Sequence, residues 1–235
     1  MDKVKPIRNL KWDSDFWGLD FYEYNLEMTY DFESLKKPYI VQVKIPVGSN
    51  SLITLDELGF ECVERKVNLI KDSMHRNEHI DKNIHPLKVE DLNGLESEIG
   101  SLFVKHSRYR FLNLQKVEYF YTHWLINSCN ASMDTHAYGY FIQNQLAGFV
   151  TFRLEDDRLI IGLFGVLVNN QGKGIGSSLL RFVESKACDL GLKAILVSTQ
   201  KTNLNAINVY QKNGYEIESE ELWFYKMNLE NGEKV

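Results

Sequence analysis

Several features are scarce in this sequence, and each scarcity removes a class of protein. Only 4 prolines occur in 235 residues, and 44% of the residues are hydrophobic, which describes an ordinary soluble globular chain. Cysteine is limited to Cys62, Cys129 and Cys188. Three thiols without metal-ligand spacing give neither a paired disulfide framework nor a zinc site. They are expected as buried free thiols in a reducing cytoplasm. No apolar run approaches the ~20 residues of a membrane span. Met1-Asp2-Lys3-Val4-Lys5 leads into no apolar segment, so no signal peptide is expected and the cytoplasm is the expected compartment. Positive charge is not in excess: the net charge is −5, which argues against a nucleic-acid surface. No histidine, cysteine and acid spacing fits a metal, and none is expected.

One absence is local. No acidic residue lies between Arg158 and Glu184. Within that stretch sits Gln171-Gly172-Lys173-Gly174-Ile175-Gly176. An apolar segment, 159–168, precedes it, and a run with helical periodicity starting at Ser177 follows. Strand, glycine turn and helix present free backbone N–H groups to an anion. Glycines at alternate positions remove side chains that would keep a phosphate from the backbone. Lys173 adds positive charge. A Walker loop is excluded because no Gly-Lys-Ser/Thr follows. A Rossmann site is excluded because the next strand, 194–197, runs into Ser198-Thr199-Gln200 without an acid. A turn with glycines for steric reasons alone is the other reading.

In chain order, residues 5–30 are aromatic-rich, with Trp12, Phe16, Trp17, Phe21, Tyr22 and Tyr24. They read as a turn and a strand over 19–26, with the rings filling a small core. A strand over 39–45, a helix over 51–58 closed by Gly59, and a strand over 61–71 make a β-α-β unit. Residues 72–83 are polar and aperiodic, which sets a domain boundary: an N-terminal αβ domain over 1–76 and a second domain over 84–229. The second domain reads as strand 84–88, helix 91–104, helix 115–130 and strands 137–143, 146–154 and 159–168. A helix to Leu190, a strand 193–198, a helix 203–212 ended by Gly214 and a long strand 216–228 complete it. At an offset of 155 residues, Asn50, Gly59, Phe60 and Glu61 fall on Asn205, Gly214, Tyr215 and Glu216. The N-terminal domain is then a degenerate half of the same fold, or the four matches are chance.

Asn203, Ala206 or Ile207, and Tyr210 lie on one face of the helix over 203–212, followed by Gly214-Tyr215. Together with the glycine loop and the β-α-α-β-β-β-α-β-α-β order, this resembles the GNAT acetyltransferases. The resemblance implies an α/β (α+β) GNAT fold, with a mostly antiparallel mixed sheet flanked by helices, and acetyl-CoA as co-substrate. It implies cofactor contacts from Phe164, Val166, Leu167, Val168, Gln171, Gly172, Lys173, Gly174, Ile175, Gly176, Ser177 and Asn203. Tyr210 is then the acid that protonates the departing thiolate. Beyond the superfamily, the chain is similar to the dTDP-fucosamine acetyltransferases. That similarity runs from Lys11–Gly18 through Val41–Ile45, Glu57–Phe60, Ser107–Arg110 and Ser198–Gln200 to Glu218-Ser219 and Trp223.

The reaction so implied is attack of a neutral amine on the thioester. A splayed backbone N–H near Phe164–Val166 would serve as oxyanion site. Glu155 and Asp156 are candidate bases in sequence but sit in a turn. Arg108 and Arg110, with Gln200, are candidate substrate residues; if the loop is extended, both arginines face one way and suit a nucleotide diphosphate. The expected acceptor is a nucleotide-linked amino sugar, and a homodimer is admitted. An acetyltransferase for a protein or small-molecule amine and a non-catalytic acyl-CoA-binding module are the rival readings.

Overall fold

The computed structural model describes residues 5–72 and 81–229. Its contacts divide the chain into two compact units. One contains residues 1–66, 111–113 and 220–235; the other contains 67–110 and 114–219. The expected boundary over 72–83 falls largely outside the described residues, and the units part between Lys66 and Val67, inside a strand.

The first unit holds β1 (Ile7–Asn9), α1 (Lys11–Trp17), β2 (Asp20–Tyr24), β3 (Tyr39–Pro46) and α2 (Leu52–Glu57). It also holds the first half of β4 (Glu61–Asp72) and the second half of β10 (Glu216–Asn228). Strand order is β1-β2-β3-β10-β4. The rings of Tyr24, Phe32, Tyr39, Phe60 and Phe224 fill its core with Val41, Val43, Ile45 and Leu55. The aromatic-rich start is therefore mostly interior, as expected, though Trp12 stays exposed. The turn expected before the strand over 19–26 is the helix α1 instead. A Lys11–Asp15 pair one turn apart supports it, and Gly18 ends it at φ 73°.

The second unit holds β5 (Ile84–Pro86), α3 (Glu96–Val104), α4 (Leu114–Cys129), β6 (His136–Ile142), β7 (Gln145–Glu155) and β8 (Arg158–Val166). After these come α5 (Ile175–Asp189), β9 (Ala194–Gln200) and α6 (Leu204–Lys212). The strand order β10-β4-β9-β8-β7-β6-β5 is antiparallel at β5/β6/β7/β8 and parallel at β8/β9. This is the mixed, mostly antiparallel sheet that the resemblance implies. The helix expected over 91–104 is broken: a 3-10 turn covers Val89–Leu92, and Gly94 at φ 80° separates it from α3. The β6–β7 turn is Gln143-Asn144, both at positive φ, one residue earlier than expected. Of the thiols, Cys62 is exposed and Cys129 and Cys188 are half-buried. The expectation of buried cysteines is corrected: Cys62 takes an exposed position early in β4.

Two features of β8 shape the site. Its parallel register with β9 runs from Arg158↔Ala194 to Ile161↔Val197. Against β7 it bulges between Val150 and Phe152. From Gly162 onward no register with β9 continues, and β8 carries Phe164 and Val166 into the glycine loop.

Candidate active site

The glycine loop forms the helix N-terminus that the sequence leads one to expect. Gly172 and Gly174 take φ 76° and 81°, with open space where a side chain would stand. Their requirement is conformational: the left-handed region is costly for other residues. Gly176 differs, since a Cβ there would stand 3.2 Å from the Phe164 ring. It allows α5 to approach β8. Gly174 is the N-cap of α5, no side chain caps this end, and no acid lies in the first turn. The first N–H groups of α5, at Ile175, Gly176 and Ser177, thus have no side-chain cap and form the positive end of the helix dipole.

The neighbouring residues brace this loop. Gln171 Nε2 donates to the Val166 carbonyl at 3.0 Å. Lys173 Nζ reaches the Asn169 carbonyl at 2.8 Å and remains exposed. The Leu167 N–H is bonded to the Ala147 carbonyl at 2.9 Å. The Val168 N–H donates to Glu98 Oε1 at 3.0 Å. Ile175 is buried in the core. Ser177 Oγ accepts from Asn213 Nδ2 at 3.1 Å, joining the start of α5 to the end of α6.

Tyr210 lies in α6, 4% exposed, with its ring 5.6 Å from Phe164 and 5.8 Å from Tyr215. Phe164 thus joins the β8 segment above the loop to the helix bearing Tyr210. Burial alone pushes the Tyr210 pKa far above its ordinary value, so the phenol holds its proton. Asn203 is the N-cap of α6: its Oδ1 accepts from Ala206 N, and its Nδ2 donates to Thr199 Oγ1, both at 3.3 Å. Its side chain fixes the helix start beside the end of β9. Gln200 ends β9, and its carbonyl accepts from Asn203 N at 2.9 Å.

The arginine loop is not extended. Arg110 N donates to the Ser107 carbonyl at 3.2 Å, a turn. The Arg108 guanidinium lies 4.6 Å from the centre of the Tyr109 ring and bonds its hydroxyl, whereas Arg110 is exposed. The turn separates the two arginines' environments, so the expectation of both facing one way rests on an extended loop that does not form. Glu155 ends β7 and Asp156 lies in the turn before β8, at the end of that strand away from Val166, about 26 Å of strand at ~3.3 Å per residue. Glu155 is tied there to Arg153 Nε at 2.6 Å.

Sequence reasoning overlooked His106. Its Nδ1 is 3.1 Å from Thr202 Oγ1, beside Asn203. Burial, with Lys105 and Arg110 nearby, holds its pKa below 6.5. No local pattern marks it, since residues 106 and 202 meet only in the fold. An open groove of about 640 Å³ borders the loop, lined by Glu90, Asp91, Glu98, Asn169, Asn170 and Lys173 among others. Neither Tyr210, Phe164 nor Asn203 lines it.

Residues 101–215 match the model of the Acetyltransferase (GNAT) family. The chain has the GNAT fold, and that stretch is similar to the family. Streptothricin acetyltransferase of Escherichia coli is 30% identical over 102 residues, 43% of this chain and 59% of that protein. The dTDP-fucosamine acetyltransferase of Escherichia coli O6:H1 is 25% identical over 228 residues, 94% of this chain and 97% of that protein. A solved GCN5-related N-acetyltransferase from Kribbella flavida aligns with a TM-score of 0.59 at 13% identity, covering 95% of this chain and 88% of that one. The chain spans about half the length, 44–59%, of three curated relatives it matches at 30% identity or better.

Proposed function

We propose that this protein transfers acetyl from acetyl-CoA to a primary amine, with the 4-amino group of a dTDP-linked deoxy sugar as acceptor. The observation that carries the reading is the pairing of an uncapped α5 N-terminus with a buried, protonated Tyr210 across Phe164. Acetyl-CoA supplies an activated thioester. The N–H groups at the start of α5 hold its diphosphate, with Lys173 adding charge. The backbone N–H groups of Phe164 and Val166, beyond the end of the β8/β9 register, stabilise the oxyanion that forms as the amine nitrogen attacks the thioester carbon. His106 takes the amine proton, and Tyr210 gives its proton to the sulfur as the C–S bond breaks. Arg110 meets the acceptor's diphosphate.

The sugar acceptor is supported by the similarity to dTDP-fucosamine acetyltransferase along nearly the whole chain. A second reading, a small antibiotic amine, is favoured by the higher identity to streptothricin acetyltransferase over a shorter stretch. The test is release of free CoA with a panel of dTDP- and UDP-linked amino sugars and streptothricin. Turnover of a dTDP-linked 4-amino sugar is expected. Turnover of streptothricin alone would replace the acceptor, and no turnover of any amine together with tight acetyl-CoA binding would leave a binding module.

A further inference from the structure

The bulge in β8 is held by a buried chain of hydrogen bonds, and that chain reaches well outside the glycine loop. Along β7 and β8 the pairing runs from Glu155↔Arg158 to Phe152↔Ile161 and resumes at Val150↔Phe164. Thr151 therefore stands opposite two residues, Gly162 and Leu163. An extra residue in one strand bends it and takes its N–H out of the ladder. Here a side chain recovers that donor: Leu163 N–H donates to Thr151 Oγ1 at 2.8 Å. The same hydroxyl donates to Asp134 Oδ2 at 2.6 Å.

Asp134 is 1% exposed. Its carboxylate also accepts from Trp124 Nε1 at 3.0 Å and from the Arg153 guanidinium at 3.3 Å. A Cβ at residue 162 would lie 1.9 Å from Asp134 Oδ2. Gly162 is thus the notch that admits the carboxylate. A satisfied buried network fixes one geometry, whereas apolar filling would tolerate several. The position matters because the β8/β9 register stops at Ile161↔Val197, one residue before the bulge.

We infer that Thr151 and Asp134 are positioning residues which lock this bulge and so hold Phe164 and Val166 away from β9, with their backbone N–H groups presented to the thioester. The catalytic part of this inference rests on the acetyltransferase reading. Thr151→Val keeps the side-chain shape and removes the hydroxyl, leaving Leu163 N–H and Asp134 short of a partner. Thr151→Ser returns the hydroxyl.

The full chain is tested by amide hydrogen exchange, acetyl-CoA titration and steady-state kinetics, each well below the melting temperature. In Thr151→Val, exchange at 163–166 should quicken and kcat should fall, each by about tenfold or more, the scale of a lost buried hydrogen bond. The affinity for acetyl-CoA, set at the α5 N-terminus, should change far less, and Thr151→Ser should restore exchange and kcat together. Wild-type exchange and kcat in the valine variant would overturn the inference, as would a loss that serine does not rescue. Should the valine variant not fold, Asp134→Asn is read by the same measurements, with faster exchange at 163–166 expected and unchanged exchange overturning the inference. If the wild type transfers no acetyl group, the functional reading and the catalytic part fail together. The exchange data then still decide whether the clamp holds the bulge.

Discussion

Lys71 and Lys226, 155 residues apart, make the same contact. Lys71 Nζ donates to the Asn213 carbonyl at 2.6 Å, and Lys226 Nζ donates to the Leu58 carbonyl at 2.7 Å. Asn213 and Leu58 are the C-caps of α6 and α2. Each is followed by a glycine at positive φ, Gly214 at 83° and Gly59 at 73°. A cation answers both the unpaired carbonyls and the negative dipole end of such a helix. The offset is the one at which β3-α2-β4 and β9-α6-β10 correspond in sequence. We propose that the two are copies of one β-α-β element. Gly48 and Leu55 stand where the second copy has Asn203 and Tyr210, so only that copy carries the site.

The two lysines should differ in what they contribute. Lys71 also pairs with Glu184, whose carboxylate is nearly buried, at 2.7 Å. Lys71→Met removes the cation beside that carboxylate and should cost about 3–5 kcal/mol. Lys226→Met removes a charged hydrogen bond and should cost about 1.5–3 kcal/mol. Urea unfolding of both variants measures the difference, and equal losses would deny the ion pair a role.

Gly174→Ala places a side chain in open space but at φ 81°. Strain of about 1–2 kcal/mol is expected, and distortion of the α5 N-terminus should weaken acetyl-CoA binding. Gly174→Val should do so more severely, with the fold kept. Isothermal titration checks this, and unchanged affinity in both would remove the loop from the site.

Tyr210→Phe keeps the ring against Phe164 and removes the hydroxyl. Turnover should fall by roughly 10²–10⁴, as for a missing general acid, while acetyl-CoA affinity holds. Normal turnover would exclude Tyr210 as proton donor.

Arg110→Ala should raise the acceptor KM about tenfold or more, the scale of a charged hydrogen bond, and leave the KM for acetyl-CoA unmoved. The free amino sugar should be a poor substrate and indifferent to the change. Equal use of free and nucleotide-linked sugar by the wild type would remove the diphosphate contact.

Stability should fall as the pH drops from 6.5. Burial, then Lys105 and Arg110, lower the pKa of His106, and burial, then Lys186, lower that of His136. Between the lowered and ordinary values the unfolded chain binds more protons than the native one, so stability rises with pH there and is flat outside the window. Denaturant melts from pH 7.5 to pH 5.5 should show a shallower slope when both histidines are replaced by glutamine. An unaltered slope would rule these imidazoles out.

What the sequence determined by itself was the part governed by near neighbours. The loop over 171–176, the start of α5 and the caps at Gly59 and Gly214 follow from glycine conformations and helix ends, which depend on a few adjacent residues. The strand and helix order from residue 84 followed from periodicity, and failed where one residue outweighed it, as at Gly94. The tertiary structure decided the rest. It turned the arginine loop, brought His106 to Thr202, gave the Val168 N–H to Glu98 and spent the Asn203 side chain on its own helix. It also set Asp134 under Gly162 and Thr151. A glycine inside a strand hints at such a close approach, but the partner of Gly162 is 28 residues away. Buried polar groups must be satisfied wherever the chain brings a donor or acceptor near, and that requirement has no fixed spacing along the sequence.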